Sequence, residues 1–255
     1  MAQRLPAWRI VLVRPRNPLN IGAAARAMAN FGFTDLAVVE PYEAAWQETR
    51  SAVGAEDIIH SAQAASSISG ALDQVDLVIG TTSGQRRTLN RELNSLEQLS
   101  EWLRDRPRAG RRALLFGSEK TGLSNEHFSY CHALVRIPTS ARCPSMNLGQ
   151  AVAVCCFELA RRSGNEESAP NVGRRQSAVR DRGIPTSPPA SVQSLEHIFE
   201  RATRVLDQAG YLKPKARHAT LIKLRRMLIE QGLSSYDARI LGGILAQIEW
   251  KFQNP

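Results

Sequence analysis

The chain has 255 residues, 43% of them hydrophobic and 22% charged, with a formal net charge of +9. That apolar content excludes wholesale disorder, and the longest apolar runs fall well short of the roughly 20 residues that cross a bilayer. Four cysteines without framework spacing exclude a disulfide scaffold. A cytoplasmic protein is expected, because the N-terminus has no apolar stretch followed by a small-residue cleavage site.

Along the chain, short apolar runs alternate with helical spacing. "WRIVLV" (8–13), "DLAVVE" (35–40), "DLVIG" (76–80), "RALLFG" (112–117) and "ALVRIP" (133–138) read as buried parallel strands. Helices are predicted at about 20–31, 43–52, 61–73, 95–105, 124–131 and 147–163. Asn20 is expected to cap the first and Gly32 to close it, while Ser124 with Glu126 and His127 opens the fifth and Asn147 the sixth. The alternation predicts an α/β domain over 1–162 with a mostly parallel sheet.

Residues 163–190, dense in Ser, Pro, Gly and Arg, lack apolar periodicity and are expected to form a basic, flexible linker. Beyond them, helical spacing returns at 191–209, 217–232 and 235–252. One apolar stripe runs through Leu195, Ile198, Phe199, Ala202 and Leu206, another through Leu221, Leu224 and Leu228, so 191–255 is expected to be a small helical domain. Arginine supplies 28 of the 33 basic side chains, and the net charge is +2 over 1–160 but +7 over 161–255. An Arg-rich surface of this kind suits a polyanion, which would meet the C-terminal part first; a basic face kept for solubility is the alternative.

Three strands run out into unusual loops, "GTTSGQRRT" after 79, "FGSEKTGLSNE" after 115 and "PTSARCPSMNLG" after 137. Loops at the carboxyl ends of parallel strands line the ligand crevice of such sheets. Gly80, Gly84, Gly117, Gly122 and Gly149 are expected to let backbone approach a ligand, which suits a nucleoside. The orders required of a phosphate loop or a dinucleotide fingerprint are missing, so ATP and NAD are disfavoured. Asn20 and Arg26 belong to a fourth element, a Pro/Asn loop opening a helix of Ala and Met; a lone Arg there faces solvent or an anion. His127, Cys131 and His132 lack a second ligand cluster, so no metal is expected. Cys143 has no base nearby to make it a nucleophile.

"NIGAAARAMANFG", "LLFGSEKTGLSNE" and "IPTSARCPSMNLGQAVAV" resemble, in order and spacing, the three signature motifs of SpoU-type RNA ribose 2′-O-methyltransferases, which belong to the SPOUT class. The basic linker and "VLDQAGYLKPKARHATLIKLRRML…DARILGGIL" resemble, less specifically, the members that modify the ribose at position 32 of the tRNA anticodon loop. Met146 departs from the motif, where Leu is more usual, and is similar enough in volume to keep a pocket.

The resemblance implies a trefoil knot in the C-terminal part of the α/β fold, a homodimer with a shared site, and S-adenosyl-L-methionine as cofactor. It assigns the cofactor to Thr81, Thr82, Ser83, Gly117, Ile137, Pro144, Ser145 and Met146. Arg26, helped by Ser145, is implied to activate the 2′-hydroxyl, while Asn20, Glu119 and Asn147 brace the loops. A guanidinium is a poor general base, so Arg26 as an anchor of phosphate and developing alkoxide competes with Arg26 as base. Arg174, Arg175, Arg180 and Arg182 would grip tRNA phosphates. A ribosomal RNA target, another tRNA position and a non-catalytic RNA-binding relative are the alternatives.

Overall fold

The computed structural model describes residues 8–83, 93–104, 110–168 and 187–254. In chain order its elements are β1 (Trp8–Val13), α1 (Pro18–Asn30), β2 (Asp35–Val39), α2 (Glu56–Ser61), β3 (Gln63–Ala65), α3 (Ile68–Ala71) and β4 (Val75–Thr81). There follow β5 (Leu93–Ser95), α4 (Leu99–Arg104), β6 (Arg111–Phe116), α5 (Asn125–Ser129), β7 (Ala133–Arg136) and α6 (Leu148–Ser168). Three helices, α7 (Val192–Gln208), α8 (Arg217–Glu230) and α9 (Ser235–Gln253), close the chain.

The strands form one sheet in the order β3-β2-β1-β6-β4-β7-β5, and every pairing is parallel. Strand alternation divides the core. Ile10 and Leu12 of β1 face a cluster with Ile21, Met28 and Val152 of α1 and α6, whereas Val11 and Val13 face Leu72, Phe128 and Leu134 on the other side. Burial on both faces is why these strands read as continuous apolar runs rather than alternating ones. A third cluster joins Leu195, Ile198 and Phe199 of α7 to Leu228, Ile229 and Ala238.

The five apolar runs all become strands, and the two strands with no such run, β3 and β5, are three residues long. Two predicted helices need correction. Residues 43–52 supply only a single 3₁₀ turn at Trp46–Glu48. Residues 61–73 split into β3 and the short α3, because Gln63–Ala65 pair with β2 at the sheet edge; pairing overrides the helical propensity of the alanines. The cap assignment also moves. Helix α1 begins at Pro18 behind Asn17, whose side-chain oxygen accepts from the Leu19 N–H at 2.9 Å, so Asn20 lies one turn in and is free for other bonds.

Helix α6 continues to Ser168, past the expected start of the linker at 163. Arg174, Arg175, Arg180 and Arg182 lie outside the described residues. Where the chain re-enters, Ala190 N–H donates to the Leu233 carbonyl at 2.9 Å and Ser235 N–H to that of Pro188 at 2.7 Å, so the approach to α7 is tied to the α8–α9 turn. The C-terminal helices also dock on the sheet. Val192 joins the core cluster of Val78 and Leu134. Arg225 pairs with Glu196 at 2.8 Å and lies 4.3 Å from the Tyr130 ring centroid and 3.8 Å from that of Phe199.

Candidate active site

The three motif loops meet in one brace, two of them through a carboxylate and the third through Asn20. Glu119, in the loop after β6, accepts from the backbone N–H of Arg16 (2.8 Å) and Asn17 (3.2 Å) and from the Asn20 side-chain amide (2.8 Å). Asn147, entering α6, donates its own side-chain amide to the Asn20 oxygen at 2.9 Å. Its oxygen accepts from Gly149 N–H at 2.9 Å, which caps α6. Partial burial alone would push the Glu119 carboxyl up. The bonds from Asn20 and from the backbone of Glu119, Arg16 and Asn17 outweigh it and hold the group below the ordinary carboxylate value.

Beside this brace a cleft of about 420 Å³ opens at the carboxyl ends of β6, β4 and β7. Thr81, Thr82, Ser83, Gly117, Ile137, Pro144, Ser145 and Met146 all line it, with Ser118, Glu119, Lys120 and Thr121. Its walls are fixed from within. Thr81 Oγ1 donates to the Leu115 carbonyl at 2.8 Å, Thr82 N–H to that of Val135 at 3.0 Å, and Thr139 Oγ1 to that of Pro144 at 3.0 Å. The volume falls in the range of small-molecule sites, and the lining mixes hydroxyls and loop backbone with Phe116, Leu123 and Leu148. That mixture suits a nucleoside, with apolar walls for its base and polar groups for its hydroxyls and a charged substituent.

Gly117 and Gly122 line the cleft, and close packing constrains three of the glycines as well. A Cβ on Gly80 would come 2.7 Å from the Cys131 sulfur, and one on Gly149 would come 2.8 Å from the Ala23 Cβ, where α6 crosses α1. On Gly117 it would strike the backbone of Gly122 and Leu123, because Ser118 and Gly122 bridge to close the loop. These three serve close internal packing; Gly122 adopts a left-handed φ of 65° with open space around it, and Gly84 lies outside the described residues. Gly117→Ala is therefore expected to cost about 1–3 kcal/mol of overpacking, seen in a melting experiment as a midpoint lower by several degrees. An unchanged midpoint would show that the loop has room.

Arg26 stands apart from the cleft. It is exposed, does not line it, and among the described residues has no hydrogen-bond or ion-pair partner. With Leu19 and Asn30 it is among the exposed residues of α1. Ser145 is exposed at the cleft wall.

The other reactive groups have structural occupations. His127 and Ser124 form the capping box of α5, His132 Nδ1 accepts from Val78 N–H at 3.1 Å, and Cys131 is buried. Among the described residues no group of three or more His, Cys, Asp or Glu side chains is placed to hold a metal. Burial pushes the thiols of Cys155 and Cys156 up, the latter to about 12, so both behave as small apolar groups.

A second cleft, of about 720 Å³ and bordered by Arg14, Arg16 and Tyr42, adjoins the first. The sequence reading missed it; the only signals were the "RPR" of 14–16 and the "PY" of 41–42.

Comparison with known proteins adds to this geometry. The model of the SpoU rRNA Methylase family matches residues 7–157. The chain is 31% identical over 244 residues to a protein of Pectobacterium atrosepticum named tRNA (cytidine/uridine-2′-O-)-methyltransferase TrmJ, covering 94% of this chain and 96% of that one. It is 30% identical over 242 residues to the TrmJ of Pseudomonas aeruginosa, described as a tRNA (cytidine/uridine/adenosine-2′-O-)-methyltransferase, covering 94% and 93%. The crystal structure of TrmJ from Z. mobilis superposes with a TM-score of 0.78 at 27% identity, covering 96% of this chain and all of that one.

Proposed function

The chain belongs to the SpoU methylase family, and on that premise we propose that it methylates the ribose 2′-hydroxyl of tRNA, at position 32 of the anticodon loop, using S-adenosyl-L-methionine. The observation that carries this reading is the bonding of Asn20, Glu119 and Asn147, one from each motif, beside a cleft lined by all eight residues assigned to the cofactor. The names of the relatives favour tRNA over ribosomal RNA.

S-adenosyl-L-methionine supplies an electrophilic methyl group on a sulfonium. The chain's own residues do the rest. Thr81 to Ser83, Gly117 and 144–146 enclose the adenosine side, and Ser145, exposed at the wall, helps to hold the ribose of the target. The brace keeps these loops in register, so binding energy is not spent on ordering them. Arg26 anchors the phosphate beside the target and stabilises the oxygen as its proton leaves to water.

Because Arg26 lies outside the cleft of its own chain, a homodimer in which one protomer presents Arg26 to its partner's cleft is part of the proposal. Leu19 and Phe157, exposed to 53% and 50% on α1 and on the α6 that packs against it, support it as apolar surface on the same helix pair that carries Arg26. A knotted threading of the C-terminal part is also proposed; the return of α6 onto α1 supports it. The helices at 191–255 act in this reading as the tRNA-gripping domain, joined through the basic segment that follows α6.

Deleting those helices would uncover Val192's core contacts, so charge reversal on their exposed face is the better test. Transfer of labelled methyl from S-adenosyl-L-methionine to tRNA is measured at increasing salt for the wild type and for a Lys215→Glu, Lys223→Glu variant. Both lysines are exposed. Transfer by the wild type is expected, with KM for tRNA raised about tenfold in the variant and a salt slope shallower by about one per lost phosphate contact. No transfer by the wild type would reject the reading, and unchanged KM and slope would take the lysines out of the interface.

A further inference from the structure

Two clefts lie side by side at the carboxyl edge of the sheet, with the loop after β6 as their common wall. The cofactor cleft lies over β6, β4 and β7; the second lies over β2, β1 and β6. Ser118, Lys120, Thr121 and Gly122 border both. A ligand in the second cleft is therefore an immediate neighbour of whatever is methylated in the first.

The outer wall of the second cleft is an aromatic platform. Tyr42 is exposed to 68%, and the Arg16 guanidinium lies 4.8 Å from its ring centroid. Both halves of the platform are anchored through backbone. Tyr42 N–H donates to the Pro15 carbonyl at 3.0 Å, and Arg16 N–H to Glu119 at 2.8 Å, in the same brace that orders the cofactor loops.

Backbone strain collects at this rim. Arg14 and Glu40, the residues that follow β1 and β2, have φ of 53° and 45°, in the left-handed region that side chains disfavour. Their N–H groups nevertheless stay paired, with the carbonyls of Val39 at 2.8 Å and Ala65 at 3.0 Å. Strain of this kind, held in place by the surrounding ladder, concentrates where a ligand is gripped. Arg14 and Glu40 offset each other at 3.7 Å, and Glu126 lies on the lining, which leaves Arg16 and Lys120 as the cations available to an anion.

We propose that the second cleft is a subsite for an RNA nucleotide flanking the target, with its base stacked on the Tyr42–Arg16 platform and its phosphate against Lys120 and Arg16. A π-face paired with a guanidinium stacks any base and reads none strongly. The subsite would therefore hold the strand in register without selecting sequence. The inference rests on the reading of the chain as an RNA methyltransferase, and its test separates the two.

Binding of unmodified tRNA is measured directly, without turnover, for wild type, Tyr42→Ala and Tyr42→Phe, alongside methyl transfer and titration with S-adenosyl-L-methionine. Tyr42→Ala is expected to weaken tRNA binding and raise KM by about tenfold or more, with cofactor affinity unchanged. Tyr42→Phe, which keeps the ring, is expected to stay within about twofold of wild type. Wild-type RNA affinity in Tyr42→Ala, or equal damage in Tyr42→Phe, would overturn the subsite. If the wild type binds tRNA and loses it on Tyr42→Ala yet transfers no methyl, the subsite stands and the catalytic reading falls.

Discussion

Arg26→Lys is expected to bind S-adenosyl-L-methionine as the wild type does and to turn over about 10²-fold or more slowly. The first half follows from position. Arg26 is exposed on α1, outside the 420 Å³ cleft and without a partner among the described residues, so neither the fold nor the cofactor walls depend on it. The second half follows from chemistry. A guanidinium offers a planar fork that matches phosphate and developing alkoxide, whereas an ammonium is a compact point charge on a flexible stem. Losing one preorganised donor at a developing oxyanion typically costs 10²–10³ in turnover. Arg26→Ala is expected to be no better. Single-turnover methyl transfer with a parallel cofactor titration reads both halves, and wild-type turnover in Arg26→Lys would remove Arg26 from the mechanism.

Glu119→Gln is expected to do the reverse, weakening cofactor binding about 5- to 150-fold by loosening the cleft. The carboxylate accepts from three N–H groups on two oxygens. An amide has one acceptor oxygen, so its NH₂ must face either Arg16 N–H or the Asn17 and Asn20 pair, donor against donor. Leaving such groups unsatisfied costs about 1–3 kcal/mol, which sets the range.

The pH dependence has a definite sign. The folded carboxyl lies below its ordinary value, because the hydrogen bonds outweigh the upward push of burial. Its contribution is therefore fully present above the unfolded value of about 4.3 and is lost as pH falls through the lower, folded one. Wild-type cofactor affinity should stay level from neutral pH to about 5, and weaken only further into acid, whereas Glu119→Gln should lack that acid limb. A titration in which Glu119→Gln binds like wild type would mean the loops hold without the brace.

Most of the sheet was legible because strands buried on both faces leave unbroken apolar runs, as "WRIVLV" and "RALLFG" do. The edges were not. Gln63–Ala65 carries no such run and becomes a strand only because β2 offers it a partner. In the site, motif order gave the cleft and the bracing role of Asn20, whereas local pattern alone made Asn20 the cap because Asn17, three residues earlier, has the same chemistry. Gly117 and Gly122 do line the cleft, but the packing demands on Gly80, Gly117 and Gly149 were not legible, because they come from neighbours distant in sequence, such as Cys131 and Ala23. The Tyr42–Arg16 platform was invisible for the same reason, since the two meet only through the parallel pairing of β1 with β2.

The central claim is that the chain moves a methyl group from S-adenosyl-L-methionine to a ribose oxygen of the anticodon loop. The most direct measurement is mass spectrometry of nuclease-digested tRNA after incubation of an unmodified transcript with the purified protein and isotopically labelled cofactor. The account predicts one labelled methyl per tRNA, on the ribose at position 32, in a linkage resistant to nuclease. A label on a base, or none on any tRNA, would contradict it.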